Sequence, residues 1–265
     1  MTKKKRIDLL LVERGLVESR NRAQRLVMAG EVRVAGEMIH KSSTKVAEDA
    51  PIEIKAQPKY ISRGGKKLEA ALAAFDVPVA GKVCADVGAS TGGFTDCLLQ
   101  NGAAKVYAID VGYGILHWKL REDPRVVVME RVNARYVDAL PERVELVTVD
   151  ASFISLGLLL PAIRGWFGND RGQTVTLIKP QFEAGRKAAA VHAGVIKDHD
   201  VHRRVLTETL QSARALGFHS VGLTASPVKG PKGNIEFLAD LRLQKTDQDP
   251  DLKRMIDRAL EQIPD

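Results

Sequence analysis

Residues 83–95 read VCADVGASTGGFT, an apolar run that ends in an acid and is followed by glycines and small polar residues. The apolar run is typical of a buried strand, and a helical pattern follows from about Phe94 to Asn101. A strand, a glycine-rich turn and a helix in this order bring backbone N–H groups against a nucleotide-like ligand. Glycine suits such a turn because a Cβ atom would block the close approach or the unusual φ angle. The segment therefore predicts an α/β nucleotide-binding domain.

The loop within this segment differs from the plain G-x-G-x-x-G fingerprint, and a glycine cluster alone is also compatible with an ordinary tight turn. A second apolar run, 106–109, ends in Asp110, about 20 residues after Gly88, where an acid commonly binds the hydroxyls of a ribose. The chain has no G-K-[ST] motif, and the loop has no basic side chain that would meet a phosphate. These features favour S-adenosylmethionine over NAD or ATP, and no hydride-transfer constellation supports an NAD enzyme.

The predicted cofactor contacts lie at the carboxyl ends of strands and in the loops that follow them. Asn133 and Ala134 follow the third strand, where adenine contacts are usual in such folds, although an ordinary loop is an equally good interpretation. Asp150 follows a later strand and belongs to the same edge. The complete predicted set is Asp86, Gly88, Ala89, Ser90, Thr91, Gly92, Gly93, Phe94, Asp110, Val111, Asn133, Ala134 and Asp150.

Positive charge is concentrated in the first quarter of the 265-residue chain. Residues 1–67 contain 16 Lys and Arg against 8 Asp and Glu, whereas the remainder contains 24 against 25. This distribution predicts a small nucleic-acid-binding module followed by a nearly neutral enzyme domain. We place the module and its linker at 1–58 and the second domain at 59–265. A solubilising tail is the alternative, but the regular apolar spacing of the first segment argues against it.

Cysteine content and hydropathy point to a cytoplasmic protein. Cys84 and Cys97 lie in a predicted strand and helix, which is typical of buried free thiols, and two cysteines cannot form a metal site of their own. The apolar run near the N-terminus is broken at Glu13 and is too short for a signal peptide. No stretch approaches the roughly 18 apolar residues of a membrane span. We therefore expect no metal, no membrane partner and a cytoplasmic location.

The basic module contains two helical patterns, 7–14 and 20–29, and short strands at 32–34 and 52–54. The module resembles the S4-type RNA-binding domain, a small α+β fold, in the spacing of several residues: RID at 6–8, Gly15, SR at 19–20, Ala23, GEVRV at 30–34 and Gly36. This resemblance implies binding to structured RNA, including ribosomal RNA. No aromatic residue precedes Tyr60, so recognition of backbone and shape is favoured over base stacking. Each basic residue alone is also compatible with a solvated surface charge. The predicted RNA contacts are Arg6, Arg14, Arg20, Arg22, Arg25, Arg33, Lys41, Lys45 and, beyond the module, Arg63.

In the second domain, apolar runs alternate with helical patterns, which predicts a Rossmann-like, mostly parallel sheet with ligands at the carboxyl ends of its strands. Asp150 ends one such run, and Lys179 ends the next, before a proline that keeps Lys179 extended. A lysine at the end of an apolar strand is costly without a partner, so Asp150 is its expected partner. Lys67 stands just before a predicted helix, and Glu236 stands at the start of the final strand.

These four residues match, in order and local context, the Lys-Asp-Lys-Glu set of the FtsJ-like RNA 2′-O-methyltransferases. The motifs SRGGKK, DVGASTGGFT, DASFISL, IKPQFE and GNIEF, together with the S4-type module, resemble the TlyA family of ribosomal-RNA cytidine 2′-O-methyltransferases, some of which carry the name hemolysin. The resemblance runs nearly end to end. It implies a class I S-adenosylmethionine-dependent fold and methyl transfer to a cytidine ribose in ribosomal RNA.

The resemblance also implies a role for each of the four residues. A ribose 2′-hydroxyl is a poor nucleophile, and a lysine can accept its proton when desolvation and a second cation favour the neutral amine. Lys179 is expected to be this base, with Asp150 orienting it near the sulfonium. Lys67, chosen over Lys66 by the spacing of the family, is expected to favour the neutral amine and to place the ribose. Glu236 is expected to hold Lys67 or the hydroxyl.

Two other functions stay open at this point. The first is a ribosome-binding or assembly protein with little catalytic activity, in which the four residues form a structural ion-pair network. The second is a membrane-active hemolysin, and the missing apolar segments argue against it. The sequence does not determine which nucleotide is modified or whether one or both ribosomal subunits are substrates.

Residues 183–197 are predicted to form a loop that closes over the RNA.

Overall fold

Two units make up the chain, Met1–Pro58 and Lys59–Asp265. The computed structural model describes residues 3–55, 58–168, 171–185, 195–230, 232–243 and 251–263. Each unit buries a hydrophobic core of its own.

The first unit contains two helices and five short strands within its described residues. Helix α1 spans Ile7–Glu13 and helix α2 spans Arg20–Met28. Ser19 begins α2 because its Oγ accepts the N–H of Arg22 at 3.3 Å. The strands are β1 Lys4–Arg6, β2 Val32–Val34, β3 Glu37–Met38, β4 Lys45–Ala47 and β5 Ile52–Ile54. β1 pairs antiparallel with β4, and β2 pairs antiparallel with both β3 and β5.

One charged side chain, Asp8, is fully buried in this first unit. Its carboxylate accepts two N–H groups of Arg6 at 3.0 Å each, Nε–H of Arg20 at 2.9 Å and Nε2–H of Gln24 at 3.1 Å. The hydrogen bonds from Arg6, and then those from Arg20 and Gln24, hold the pKa of Asp8 below its ordinary value despite the burial. The carboxylate therefore ties the junction of β1 and α1 to α2.

The second unit is built on a seven-stranded sheet. In chain order its strands are β6 Val83–Val87, β7 Lys105–Asp110, β8 Val126–Glu130, β9 Leu146–Val149, β10 Gly172–Ile178, β11 His219–Ala225 and β12 Phe237–Leu243. Across the sheet the order is β11-β12-β10-β9-β6-β7-β8. The strands from β10 to β8 pair in parallel, whereas β12 is antiparallel to both β10 and β11. The predicted mostly parallel α/β sheet is confirmed.

Helices cover both faces of this sheet. They are α3 Gly64–Ala74, α4 Gly93–Gln100, α5 Trp118–Arg121, α6 Leu156–Trp166, α7 Pro180–Glu183, α8 His199–Ala215 and α9 Leu252–Glu261, with a 3₁₀ helix at Ala134–Tyr136. Residues of α3 and α4 belong to the core on one face, and residues of α6, α8 and α9 belong to the core on the other. Within the described ranges, none of these helices has the length and apolar character that crossing a membrane requires.

Helix α3 begins earlier than its sequence predicts, so Lys67 lies inside its first turn and not before it. Two glycines, Gly64 and Gly65, open the helix, and glycine is a poor helix former. Packing explains the difference, because a Cβ atom at Gly65 would lie 2.2 Å from Cγ of Tyr60. The close approach to Tyr60 requires glycine there and overrides the weak local propensity.

The strand order creates a crevice beside β6. The chain builds outward from β6 through β7 to β8, and then returns to the other side of β6 with β9 and β10. At such a switch point the loops at the carboxyl ends of neighbouring strands diverge and leave room for a ligand. The glycine loop after β6 and Asp150 after β9 border this crevice.

Replacement of Asp8 by Asn is expected to destabilise the first unit by about 2 kcal/mol at neutral pH. The N–H groups of Arg6, Arg20 and Gln24 donate to two carboxylate oxygens in the wild type, whereas the amide of Asn has one acceptor oxygen and no negative charge. Since the pKa of Asp8 is lowered in the folded state, the stabilisation is present above the ordinary pKa of Asp and is lost as the pH falls through the folded value. Hydrogen exchange of the α1 and α2 amides in the full chain measures the effect. Asp49→Asn, at an exposed aspartate, is the control. Equal protection in D8N and the wild type would contradict this assignment.

Candidate active site

The glycine loop after β6 forms one wall of the crevice. Gly88 and Gly92 have φ angles of +82° and +101°. A Cβ atom at Gly88 would lie 2.8 Å from the carbonyl oxygen of Asp150, and one at Gly92 would lie 2.1 Å from Cδ1 of Leu120. Both positions therefore require glycine, for conformational and for steric reasons.

The loop uses several of its N–H groups within the protein, which differs from the expectation that they face the ligand. The N–H groups of Gly88 and Ala89 donate to the carbonyl oxygen of Ile109 at 2.9 and 3.2 Å. The N–H of Ser90 donates to Oδ2 of Asp110 at 2.8 Å. The loop is thus held against the end of β7. It allows a ligand to approach the backbone closely, but these three N–H groups are not free to bind it.

Asp110 ends β7, and two backbone donors fix its carboxylate. Oδ2 accepts the N–H of Ser90 at 2.8 Å, and Oδ1 accepts the N–H of Gly112 at 2.7 Å. A carboxylate oxygen has more than one acceptor position, and Asp110 lines a cavity. Its carboxylate can therefore accept hydrogen bonds from ribose hydroxyls in a fixed orientation, as the spacing from the glycine loop suggests.

Two cavities at this edge of the sheet share Gly88, Ser90 and Asp150 in their walls. The larger, of about 630 Å³, combines apolar side chains with Asp110 and Asn133, which suits a nucleoside. The smaller, of about 290 Å³, lies between the glycine loop and the start of α3. The predicted cofactor contacts that line the cavities are Gly88, Ala89, Ser90, Thr91, Gly93, Phe94, Asp110, Val111, Asn133, Ala134 and Asp150.

Asp86 and Gly92 line neither cavity, although both were expected to contact the cofactor. Asp86 is fully buried beneath the loop, where its carboxylate accepts the hydroxyl of Thr95 at 2.7 Å and that of Thr148 at 3.0 Å. Burial raises the pKa of Asp86 to about 7, against the opposite effect of the two hydroxyl groups. Asp86 therefore joins β6 to α4 and β9 from below. Gly92 is buried against Leu120 for the steric reason given above.

The first of two ion pairs joins the start of α3 to the residue before β12. Nζ of Lys67 lies 2.5 Å from Oε2 of Glu236, and the two side chains are 10% and 1% exposed. Nε2 of Gln181 lies 3.5 Å from Oε1 of Glu236, and a Cβ atom at Gly230 would lie 2.6 Å from the same oxygen. Lys67 lines the smaller cavity, whereas its neighbour Lys66 is exposed elsewhere.

The second ion pair lies where β9 and β10 end. Nζ of Lys179 lies 2.6 Å from Oδ1 of Asp150. The same amine donates to the carbonyl oxygen of Asp150 at 3.3 Å and to Oγ of Ser152 at 3.0 Å. Lys179 is 7% exposed, and Asp150 lines both cavities. The expected pairing of Lys179 with Asp150 is confirmed.

The residues at this edge that were not among the predicted contacts include Ser152 and Phe153. Phe153 has a φ angle of +65°, is 89% exposed, and lines the larger cavity. Its ring centroid lies 4.9 Å from that of Phe182. The available sequence signal was an aromatic residue in a polar stretch directly after a strand, where no core position was expected.

Four of the eight predicted RNA contacts in the first unit have partners within that unit. Arg6 and Arg20 bind Asp8, and Arg14 and Arg33 donate to backbone carbonyl groups. Their guanidinium groups therefore contribute to the fold, whether or not they also meet RNA. The other four have no ion pair or side-chain hydrogen bond with any residue that the structure describes: Arg22, Arg25, Lys41 and Lys45. Arg63, in the second unit, is exposed at the smaller cavity.

Two further expectations concern a loop and a metal. The predicted closing loop, 183–197, lies largely outside the described residues, which are interrupted between Gly185 and Val195. In the part of the chain that the structure describes, no three His, Cys, Asp or Glu side chains converge as metal ligands would.

Comparison with known proteins gives concordant matches to this architecture. The model of the FtsJ-like methyltransferase family matches residues 60–243, and that of the S4 domain matches residues 5–52. The 16S/23S rRNA (cytidine-2′-O)-methyltransferase TlyA of Mycobacterium tuberculosis is 47% identical over 248 residues, 92% of each chain. Hemolysin A of Brachyspira hyodysenteriae is 43% identical over 88% of this chain and 98% of its own. A solved structure of a hemolysin-named protein from Streptococcus thermophilus has a TM-score of 0.71 and 42% identity, covering 99% of this chain and 98% of its own.

Titration of Asp86 is expected to lower stability as the pH rises. Because its pKa is raised to about 7, the folded protein retains a proton that the unfolded chain has released above about pH 4. The free energy of unfolding should therefore fall between about pH 5 and 7, by at most about 1.4 kcal/mol per pH unit from this group. Asp86→Asn lacks this proton and should show a flatter pH profile in urea denaturation. Asp138→Asn, at an exposed aspartate, should retain the wild-type profile, and parallel profiles for D86N and the wild type would refute the raised pKa.

Proposed function

The chain belongs to the FtsJ-like methyltransferases that use S-adenosylmethionine and carries an S4 domain, and from this membership we propose that it methylates the 2′-hydroxyl of a cytidine ribose in ribosomal RNA. The observation that carries the proposal is the position of Asp150. It borders both cavities and pairs with Lys179, so a cofactor, a base and a second substrate can meet at one point. The cytidine and the ribosomal RNA are taken from the activity for which the mycobacterial relative is named.

The two cavities suggest how the cofactor is held. The adenosine half fits the larger cavity, with Asp110 accepting from its ribose and the segment at Asn133 and Ala134 beside the base. The methionine half fits along the glycine loop, where the missing Cβ of Gly88 leaves room next to Asp150. S-adenosylmethionine supplies an electrophilic methyl group on a sulfonium. That group would lie near Asp150, which borders both cavities.

Lys179 is the proposed base for the 2′-hydroxyl. As the ribose oxygen forms its bond to the methyl carbon, the carbon–sulfur bond breaks and its electron pair stays on sulfur, while the hydroxyl proton passes to Nζ of Lys179. The amine must be neutral beforehand, and its 2.6 Å contact with Asp150 is a route for the proton to leave. Carboxylate, carbonyl and hydroxyl acceptors from Asp150 and Ser152 fix the direction of the amine. Positioning of this kind supplies much of the rate enhancement of such a reaction.

Lys67 and Glu236 are proposed to place the target ribose. Glu236 is nearly inaccessible to water, so its role is to hold the ammonium of Lys67, whose side chain borders the smaller cavity. Arg63 lies at the same cavity and is exposed, as a phosphate contact must be.

Phe153 is proposed to support the base of the target nucleotide. Phe153 is 89% exposed and has a positive φ angle, a strained backbone conformation of the kind that clusters at functional sites. An unstacked base is a suitable partner for the exposed ring, because stacking on an aromatic ring contributes about 1–3 kcal/mol per base.

Since ribosomal RNA is the proposed substrate, we place the protein in the cytoplasm with ribosomal subunits as partners.

Methyl transfer to purified ribosomal subunits, followed by mapping of ribose methylation, tests the function. Lys179→Met is expected to lower the rate of methyl transfer by about 10²- to 10⁴-fold, the usual contribution of a general base. Binding of S-adenosylmethionine, measured by calorimetry, should be nearly unchanged, because the cavity walls stay in place. Lys253→Met, at an exposed lysine of α9, is the matched control and should be fully active.

The outcomes separate the candidate functions. A wild-type protein that binds subunits and cofactor but transfers no methyl group would instead be a ribosome-binding or assembly protein. Wild-type turnover by K179M would leave the function intact and remove Lys179 from the role of base.

The free basic residues of α2 are expected to contact RNA phosphates. Arg22→Ala combined with Arg25→Ala should weaken RNA binding and reduce the slope of log K against log salt by about 1.4–1.8, since each lost contact contributes about 0.7–0.9. The measurement is filter binding of the RNA between low and moderate salt. Lys4→Ala combined with Lys55→Ala removes the same charge from the unit and should leave the slope closer to that of the wild type. An unchanged slope in the α2 variant would show that this helix does not bind the phosphates.

A further inference from the structure

Two segments, residues 150–156 after β9 and residues 179–183 after β10, lie side by side. They contact each other at three levels, that is, through three successive pairs of side chains along their length. Lys179 binds Asp150 at the first level, with 2.6 Å between Nζ and Oδ1. The rings of Phe182 and Phe153 are 4.9 Å apart at the second level. At the third level, Glu183 reaches back to the start of α6, so the two segments are joined at both ends.

The contacts of Glu183 are well defined. Its Oε2 accepts the hydroxyl of Ser155 at 2.6 Å, and its Oε1 accepts the N–H of Leu156 at 2.8 Å. Both donors belong to the N-terminus of α6, where a negative charge is favourable. The carboxylate therefore fixes the far end of segment 150–156 from the neighbouring segment.

Helix capping alone does not explain this arrangement. Ser155 already caps α6, because its Oγ accepts the N–H of Gly157 at 3.3 Å. Burial raises the pKa of Glu183, against the opposite effect of its hydrogen bonds from Ser155 and Leu156. Helix α9 is capped more simply, by the exposed Asp251, whose carboxylate accepts the N–H of Arg254 at 3.2 Å.

We infer that Glu183 is a positioning residue for methyl transfer: by binding Ser155 and Leu156 it holds segment 150–156 in the conformation that presents Asp150 to Lys179. Glu183 acts through this segment and does not touch the reacting groups. The inference rests on the proposed function, since it assigns a role within the same reaction. It gives a role to Glu183, the last residue of the IKPQFE motif, which is not one of the four residues of the Lys-Asp-Lys-Glu set.

The backbone between the two ends of the segment explains why the far end matters. Phe153 has a φ of +65°, which costs free energy and persists only where the surroundings hold it. If the bonds from Glu183 are lost, the segment can relax at Phe153 and carry Ser152 and Asp150 away from Lys179. A displacement of about 1 Å is sufficient to slow a positioned reaction by about 100-fold.

The test compares Glu183→Ala and Glu183→Gln with Asp251→Ala, which removes a carboxylate from the N-terminus of a helix outside the site. With ribosomal subunits as substrate, E183A is expected to lower kcat by about 10- to 100-fold, with a much smaller change in KM for the RNA. E183Q keeps the shape and one acceptor oxygen, so its kcat should lie between that of E183A and the wild type. D251A should lower Tm by a similar amount and keep the wild-type kcat.

Several outcomes would overturn the inference. Wild-type kcat in E183A would show that the segment keeps its conformation without Glu183. A fall in kcat of D251A equal to that of E183A would show that both variants report general loss of stability. If E183A does not fold, E183Q decides, because a fully active E183Q with the same Tm as the wild type would exclude a role for the carboxylate. Failure of the wild-type protein itself to transfer methyl groups would instead refute the proposed function.

Discussion

The parallel pairing of β9 with β10 is the constraint on which the rest of the site depends. Its register sets Val149 opposite Thr176, so both strands end at the same edge of the sheet. The chain leaves that edge through Asp150 on one strand and Lys179 on the other, and their side chains meet with little exposure to water. A charge in this environment requires its partner, because either residue alone would be buried without compensation. On the other side of β9, the backbone of Asp150 packs against Gly88 and thereby reaches the glycine loop.

Features that are local in the chain could be predicted from the sequence. The strand, loop and helix at 83–100 follow from apolar patterning and from glycines that have positive φ. The resemblance to the S4 and FtsJ-like families is confirmed by the matches, and with it the class of enzyme and cofactor. The position of Asp86 could not be predicted, because it depends on Thr148, which is close to Asp86 only after β6 and β9 have paired. The early start of α3 likewise depends on packing against Tyr60.

The first unit shows why a count of basic residues overestimates the number of side chains that are available to bind RNA. An arginine has five donors, and a small domain with short helices and strands uses some of them to satisfy its own carbonyl and carboxylate groups. Arg14 and Arg33 donate to backbone carbonyls, and Arg6 and Arg20 neutralise a buried carboxylate. The net charge of the segment still creates a positive field that attracts RNA. Which guanidinium groups are available to phosphates is a property of the tertiary structure.

The antiparallel direction of β12 has a consequence for how the protein matures during synthesis. Glu236 can face Lys67 only because β12 runs opposite to its neighbour and begins at the edge where β10 ends. These two partners are 169 residues apart in the chain. A nascent chain that already contains the whole glycine loop therefore lacks the carboxylate that compensates a buried lysine until most of the second unit has left the ribosome. The ion pair can therefore form only after β11 has been synthesised, and a chain that ends before Glu236 leaves Lys67 without this partner.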